Sequence, residues 1–267
     1  MLIFYFLIFI FGLIIGSFLN CVIYRIEEGD KLSGRSYCPT CKHDLKWIDL
    51  FPVFSYLFLK GKCRYCSKKI SIQYPIVEIL TGLMFLMVFN HQLSNREVSI
   101  FYFLFSIFLF YITSSLIVIF VYDLKHLIIP DKILFPAIII TFLYQLLFNF
   151  SFLISNYLWA GLGAFLFFGT IFFMSNGKWM GFGDCKLVFF LGLLLGFPNI
   201  LLGLFLGFFF GAIIGLVSIL LNLSIEGKTK LDLKTQIPFA PFLIAGTIIA
   251  MFWGEQIIDW YLNFFLI

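Results

Sequence analysis

Long apolar runs alternate with short polar stretches along the whole chain. A membrane-spanning helix needs about 20 mostly apolar residues. Eight runs meet this requirement, at approximately 2–24, 73–90, 100–121, 132–150, 156–174, 185–203, 204–222 and 238–254. The turn signal at 197–199 predicts a short sixth helix or an early break within the sixth run. The tail from residue 255 is expected at the membrane interface and is not counted as a span.

Composition supports the same class of protein. The chain is 62% hydrophobic and only 12% charged, whereas soluble domains carry about 25% charged residues. No lysine or arginine precedes the first run and no small-residue cleavage site follows it, so that run is predicted to be a helix rather than a removed signal peptide. The predicted fold is an all-α polytopic membrane protein of about eight helices, with a small zinc-ribbon-like insert.

The positive charges predict an orientation. With eight spans and the N-terminus outside, the inside loops are 25–72, 122–132, 175–186 and 223–237. Every lysine and arginine except Arg96 falls in these loops. Positively charged residues collect on cytoplasmic loops, so the four loops are expected to be cytoplasmic. Asp123 and Asp184 then lie at the same, cytoplasmic, membrane face.

Three parts are predicted along the chain. They are a first transmembrane helix at 1–24, a cytoplasmic insert at 25–72, and a membrane-embedded domain at 73–267. The insert is too small to bury a sufficient core by itself. It contains two C-x-x-C pairs separated by 21 residues, formed by Cys38, Cys41, Cys63 and Cys66.

This cysteine spacing is typical of a tetrahedral zinc ribbon. Two disulfides are the alternative, although disulfides rarely persist in the cytosol, where the loop is predicted to lie. A site with four thiolate ligands leaves no coordination position for water. The metal is therefore expected to hold the insert together and to take no part in hydrolysis.

Four acids occur at or near predicted membrane depth, namely Glu78, Asp123, Asp131 and Asp184. Acids in this position are costly and are functional candidates. Three have an ordinary alternative: Asp131 and Asp184 could cap helices, and Glu78 could be a satisfied polar contact. Asp123 is harder to explain structurally, because it lies at the C-terminal end of a helix, where the dipole disfavours an anion.

Asp123 and Asp184 are predicted to form a catalytic pair. Two carboxylates that share a site cannot both ionise easily, so one proton is held between them. In aspartic proteases one carboxylate deprotonates a water while the other protonates the carbonyl oxygen. Gly181 and Gly183 precede Asp184 and are expected to allow backbone conformations and close substrate approach. Together with Glu78 they are the predicted substrate-binding residues.

Several motifs in this order resemble the type IV prepilin peptidases, membrane aspartic proteases with a G-x-G-D loop. The similarity covers nearly the whole chain. It includes "GSFLNCVIYR" at 16–25, the paired cysteines with "HDLKWIDLFPVFSYLFLKG" between them, "YPIVEILTG" at 74–82, the D-x7-D pair at 123–131, "MGFGDCKL" at 180–187 and "IPFAPFLIAG" at 237–246.

The resemblance implies a function. It makes Asp123 and Asp184 the catalytic pair and the four cysteines the zinc ligands. Members of the family cleave basic leaders from prepilins or pseudopilins after a glycine, at the cytoplasmic face of the bacterial inner membrane. Many then methylate the new N-terminus with S-adenosylmethionine, an activity that rests here on the resemblance alone. The expected partners are membrane-anchored prepilins and the lipid bilayer, with no nucleic acid.

Two other functions would use some of the same residues. A proton-coupled transporter could use Asp123 and Asp184 as a proton relay, but transporters often contain inverted repeats, and the sequence shows none. A membrane scaffold could bind a partner through its zinc ribbon, which leaves the unfavourable position of Asp123 at a helix C-terminus unexplained.

Overall fold

The computed structural model describes residues 2–94, 100–148, 156–220 and 238–265. These residues are almost entirely helical. Within them, extended pairing is limited to two isolated bridges, Tyr37 with Asp44 and Lys62 with Lys69. Packing divides the chain into two compact units, Met1–Val118 and Ile119–Ile267. This division falls within a helix, and the predicted domain boundaries at residues 25 and 73 stay a prediction.

The first unit is built on two long helices that pack closely. Its elements are α1 (Leu2–Glu28), a 3-10 helix (Trp47–Leu50), α2 (Phe54–Phe58), α3 (Gln73–Ser94) and most of α4 (Ile100–His126). A Cβ added at Gly12 would lie 2.7 Å from the Cα of Gly82, and one at Gly16 would lie 2.6 Å from the Cα of Glu78. Small residues let helix backbones approach in this way, so the glycines fix how α1 packs against α3.

The second unit surrounds one short, buried helix. It contains the end of α4, then α5 (Asp131–Phe148), α6 (Leu158–Met174), α7 (Phe182–Leu195), α8 (Asn199–Leu220) and α9 (Ala240–Phe265). Side chains of α7 are fully buried at Leu187, Phe190 and Leu193. This helix packs against α5, α6, α8 and α9, and it holds Asp184 half-buried at its N-terminal end.

Glycines also determine the helix contacts of the second unit. A Cβ at Gly192 of α7 would lie 2.5 Å from the Cα of Gly161 in α6. A Cβ at Gly207 of α8 would lie 3.1 Å from the Cα of Leu243 in α9. The glycines therefore serve packing, because small residues let neighbouring helix backbones approach closely.

The eight predicted spans correspond to the eight long helices of the described residues. Six are long and apolar enough to cross a membrane, which makes this a multi-pass membrane protein. The exceptions are α6, with 17 residues, and α7, with 14. The predicted run 185–203 is too long, because the chain leaves the helix at Gly196, whose φ is +68°. The early break near 197–199 is thereby confirmed. Residues 149–150 and 221–222 of the predicted spans and the loop 223–237 lie outside the described residues.

Candidate active site and metal centre

Asp123 lies in the last turn of α4 and is buried, with 5% of its surface exposed. Its carboxylate accepts a hydrogen bond from the backbone N–H of Ala240, the first residue of α9. Its Oδ2 atom has no hydrogen-bond partner among the described residues. The positive end of the α9 dipole therefore faces the Asp123 carboxylate, whose negative charge the C-terminus of α4 disfavours.

Asp184 is the third residue of α7, after Phe182 and Gly183. Its carboxylate accepts a hydrogen bond from the backbone N–H of Gly181, the residue that caps the helix. A carboxylate at this position commonly binds the N-cap N–H, as in one half of a capping box. Asp184 is thus not the N-cap that the sequence offered as an alternative, because Gly181 has that position and Asp184 lies three residues further along.

The two carboxylates are close enough for their charges to interact. One comes from the C-terminal end of α4 and the other from the N-terminal end of α7, and both residues belong to the second unit. The sequence-predicted pair is therefore brought together by the fold. Asp131 is engaged elsewhere: its exposed carboxylate forms an ion pair with Lys186 that joins the first turn of α5 to α7.

The two glycines before Asp184 have different surroundings. Gly181 has φ −78° and ψ 149°, an extended conformation that any residue adopts. Within the described part of the chain, a Cβ there would meet only Asp184 Oδ2, at 3.7 Å, and the backbone N of Gly183, at 3.9 Å. At Gly183 a Cβ would lie 3.3 Å from the Cβ of Ile129. The expected need for unusual backbone angles is therefore wrong at Gly181. At Gly183 the close neighbour is Ile129, and close approach of a substrate stays a prediction.

Glu78 lies in the first unit, on α3, with 6% of its surface exposed. Its Oε2 atom accepts a hydrogen bond from the backbone N–H of Val53 at 2.7 Å, and the hydroxyl of Ser17 also donates to this carboxylate. These contacts agree with the alternative of a satisfied polar residue. The assignment of Glu78 to substrate binding stays a prediction.

The four insert cysteines converge on one point. Their Sγ atoms all lie within 4.8 Å of one another, and the Sγ atoms of Cys38 and Cys66 are 3.9 Å apart. All six cysteines of the chain are free thiols, so the alternative of two disulfides is not realised. Ligands about 2.3 Å from a tetrahedral zinc ion would be separated by a similar distance. The cluster could therefore hold one metal ion.

Each C-x-x-C pair forms the same small turn. The backbone N–H of Cys38 donates to His43 and that of Lys42 donates to Cys38; in the second turn Cys63 donates to Lys68 and Ser67 donates to Cys63. Burial disfavours the thiolate of Cys38, but the backbone N–H groups of Cys41 and Thr40 outweigh it and lower the pKa of Cys38 to about 7. The backbone of the first turn therefore favours the deprotonated form of Cys38, which is the form that binds metal.

One participant in the site was missed from the sequence, namely the backbone N–H of Ala240. A signal for it exists, because Pro238 and Pro241 flank this position and proline is frequent in the first turn of a helix. The prolines therefore mark where α9 begins. They give no indication that this N-terminus would face Asp123.

Two sequence families match the chain. The model of the bacterial peptidase A24 N-terminal domain matches residues 10–92, and that of the type IV leader peptidase family matches residues 110–216. The first match contains the four cysteines and Glu78, and the second contains Asp123 and Asp184. No solved structure matches the chain.

Curated relatives cover the chain almost from end to end. A prepilin leader peptidase/N-methyltransferase from Legionella pneumophila is 31% identical over 98% of this chain and 96% of its own length. Proteins of the same name from Aeromonas hydrophila and Bacillus subtilis (strain 168) are 31% and 32% identical over 97% and 96% of this chain, and over 94% and 97% of their own lengths. The chain therefore belongs to the type IV leader peptidase family.

Proposed function

We propose that the protein is a membrane aspartic endopeptidase that removes the basic leader of type IV prepilins or pseudopilins. The observation that carries this proposal is the pair of acids. Asp123 and Asp184 come from different helices of the second unit and lie close enough for their charges to interact. The names of the relatives supply the substrate class.

The two carboxylates can divide the chemistry of peptide hydrolysis between them. One carboxylate takes a proton from a water molecule, whose oxygen attacks the carbonyl carbon of the scissile bond, while the other donates its proton to the carbonyl oxygen. When the tetrahedral intermediate collapses, the C–N bond breaks. The first group returns its proton to the leaving amine, and the second regains a proton from the hydroxyl of the intermediate.

Access to the pair runs over Gly181 in this proposal. Among the described residues, only Asp184 Oδ2 and a backbone nitrogen lie within 4 Å of a Cβ at Gly181, so the missing side chain leaves space beside a proposed catalytic carboxylate. A substrate backbone placed there would approach Asp184 directly. Gly183 contributes indirectly, because its lack of a side chain lets α7 lie against Ile129.

The proposed location follows the distribution of charge. The active site faces the cytoplasm of a bacterial inner membrane, and the N-terminus lies outside, since all lysines and arginines except Arg96 then fall on the cytoplasmic side. A prepilin held by its own apolar helix would present its leader at that face. Cleavage is proposed to follow a glycine of the leader.

Zinc is the metal proposed for the four cysteines. Cys38, Cys41, Cys63 and Cys66 would hold it in a closed tetrahedral site that cross-links the two turns of the insert. Bound there, zinc would supply folding free energy to a segment with little core of its own.

A second activity, N-methylation with S-adenosylmethionine, is proposed from the relatives' name alone. An acidic side chain commonly binds the ribose of an adenosine cofactor. The cavity of about 480 Å³ beside α1 is lined by apolar side chains, Ser17, Ser36, Cys21 and Arg25, without an acid. This cavity does not fit the cofactor, and no step of methyl transfer is assigned to it.

The experiment that tests the proposal is cleavage by the full-length protein in proteoliposomes. A prepilin-like substrate with a basic leader would be added, and intact-mass spectrometry would identify both products. A single cut after the leader glycine supports the function, and the added mass of one methyl group on the mature product with S-adenosylmethionine would establish methylation. A substrate that stays intact, although a leader peptidase from a relative cuts it, would contradict the proposal.

A further inference from the structure

The insert contains an apolar segment that a cytoplasmic loop would not need. Residues 47–59, here called the apolar segment, include the 3-10 helix and α2. Trp47 is 75% exposed and Phe58 is 83% exposed, and further large apolar side chains of the segment are exposed beside them: Ile48, Phe51, Phe54 and Leu57. A contiguous apolar surface of this kind marks a contact with a partner or a membrane.

The position of the apolar segment along α1 indicates the partner. The N–H of Val53 is bound by Glu78, which also accepts a hydrogen bond from Ser17. Ser17 is eight residues before Arg25, or about 12 Å along the helix. Val53 therefore lies beside the middle of α1 and not at its charged C-terminal end. At this depth the surrounding helices pass through the hydrocarbon of the bilayer.

The cavity of about 480 Å³ beside α1 shows that the apolar segment also lies next to residues nearer the N-terminus of α1. The cavity is lined by Ile10, Ile14 and Phe18 of α1 together with Trp47, Phe51 and Phe54 of the apolar segment. Ile10 is about 22 Å from Arg25 along a helix that rises 1.5 Å per residue. Ile14 and Phe18 are exposed on α1, so the cavity is continuous with the surface that this helix would present to lipid.

Charge does not prevent burial of the apolar segment in lipid. Its one charged residue is Asp49, whose side chain is 4% exposed and accepts a hydrogen bond from Arg64 Nε at 2.7 Å. Tyr65 and the N–H of Lys46 also donate to this carboxylate. Basic residues flank the segment at Lys46, Lys60 and Lys62, where long side chains can reach lipid headgroups.

Irregular backbone at membrane depth must have its polar groups hydrogen-bonded. The turn between the 3-10 helix and α2 meets this requirement. Val53 has φ +60° and ψ −50°, a conformation that is rare for a β-branched residue. Its N–H would be unpaired in hydrocarbon, which costs several kcal/mol for each group. The carboxylate of Glu78 accepts a hydrogen bond from this N–H instead. This contact explains why α3 contains a buried acid.

We propose that the apolar segment is a re-entrant membrane element. It enters the leaflet on the side of the insert, Glu78 holds its turn through Val53, and lipid acyl chains occupy the cavity against α1. The metal centre orients the segment, because Arg64, which pairs with Asp49, lies between Cys63 and Cys66. This inference concerns the first unit alone and is independent of the peptidase activity.

Site-specific photo-crosslinking tests the proposal. Benzoylphenylalanine would replace Phe54 or Phe58 in the full-length protein, reconstituted in vesicles of phosphatidylcholine and phosphatidylglycerol. The matched control position is Lys68, which is exposed in the second cysteine turn of the same insert. We expect acyl-chain adducts, identified by mass spectrometry, to be at least tenfold more abundant at positions 54 and 58 than at 68.

Equal lipid adducts at all three positions, or adducts to a second copy of the chain instead of lipid, would overturn the proposal. A second pair of variants tests the role of Glu78. Glu78→Gln keeps an acceptor for the Val53 N–H and should retain the lipid adducts, whereas Glu78→Ala should reduce them severalfold. Adducts that are unchanged in Glu78→Ala would contradict the assigned role of Glu78, and the gel-filtration profile of each variant verifies that it is folded.

Discussion

The backbone N–H of Ala240 donates a hydrogen bond to the carboxylate of Asp123. This contact explains how an acid can occupy the C-terminal end of α4. The dipole of its own helix disfavours the charge, but the N-terminus of α9 compensates with a donor and with the positive end of a second dipole. The first turn of α9 is therefore part of the proposed catalytic site, although no side chain of it takes part.

Removing this donor should impair catalysis. Ala240→Pro deletes the N–H at a helix start, where proline is tolerated. A hydrogen bond to a charged group contributes about 1.5–3 kcal/mol, so cleavage should fall by about 10- to 100-fold. Steady-state cleavage rates in detergent measure the effect.

The control for this variant is Ala240→Gly, which keeps the N–H and should retain most of the activity. Thermal unfolding of both variants separates catalysis from folding. If Ala240→Pro is folded and as active as the wild type, the N–H of Ala240 has no catalytic importance.

A packing prediction concerns the contact between α6 and α7. In Gly192→Ala the new methyl group would lie 2.5 Å from the Cα of Gly161, and backbone cannot yield as a flexible side chain does. Overpacking of this kind costs about 1–3 kcal/mol, so the thermal unfolding temperature in detergent should fall by several degrees. Because α7 carries Asp184, the cleavage rate should fall together with the unfolding temperature.

Gly163→Ala is the matched control, since a Cβ at this position of α6 has no neighbour within 4 Å from another helix among the residues that the structure describes. Alanine favours helix over glycine by about 1 kcal/mol, so this variant should be neutral or slightly more stable. Equal unfolding temperatures for the two variants would show that the close contact at Gly192 is not important for stability.

The metal prediction concerns the insert. Purified protein should contain about one zinc per chain by elemental mass spectrometry, and Cys63→Ser, which removes a buried ligand, should lower that content severalfold. The insert should then become sensitive to limited proteolysis between residues 38 and 66. Cys185→Ser, at a buried cysteine outside the cluster, is the control and should keep the metal. If both variants keep their zinc, the cluster is not the metal site.

Much of the fold could be predicted because its signals are local. Apolar runs of about 20 residues specify membrane helices one at a time, and the two C-x-x-C pairs specify a cluster because each pair makes its own turn. The early end of α7 was visible in the sequence around Pro198. Asp123 was a candidate because its position conflicts with its own helix dipole, which is also a local property.

The rest depends on contacts between distant parts of the chain. Nothing near Asp123 in the sequence indicates Ala240, which is more than a hundred residues away. Glu78 could be recognised as an unusual acid, but its partner Val53 lies in a loop that was predicted to be wholly cytoplasmic. The open space at Gly181 depends on which atoms lie nearby, and a glycine-rich pattern alone does not specify them.

The catalytic pair is tested most directly by the cleavage rates of Asp123→Asn and Asp184→Asn against Asp131→Asn. The first two variants remove an acid of the proposed pair without changing its size. The third alters a nearby exposed acid that pairs with Lys186, where an ion pair contributes at most about 1 kcal/mol. Loss of at least a thousandfold in the first two variants, with near-wild-type cleavage in the third, is the predicted result. Wild-type cleavage by a folded Asp123→Asn or Asp184→Asn protein would contradict the catalytic role of that residue.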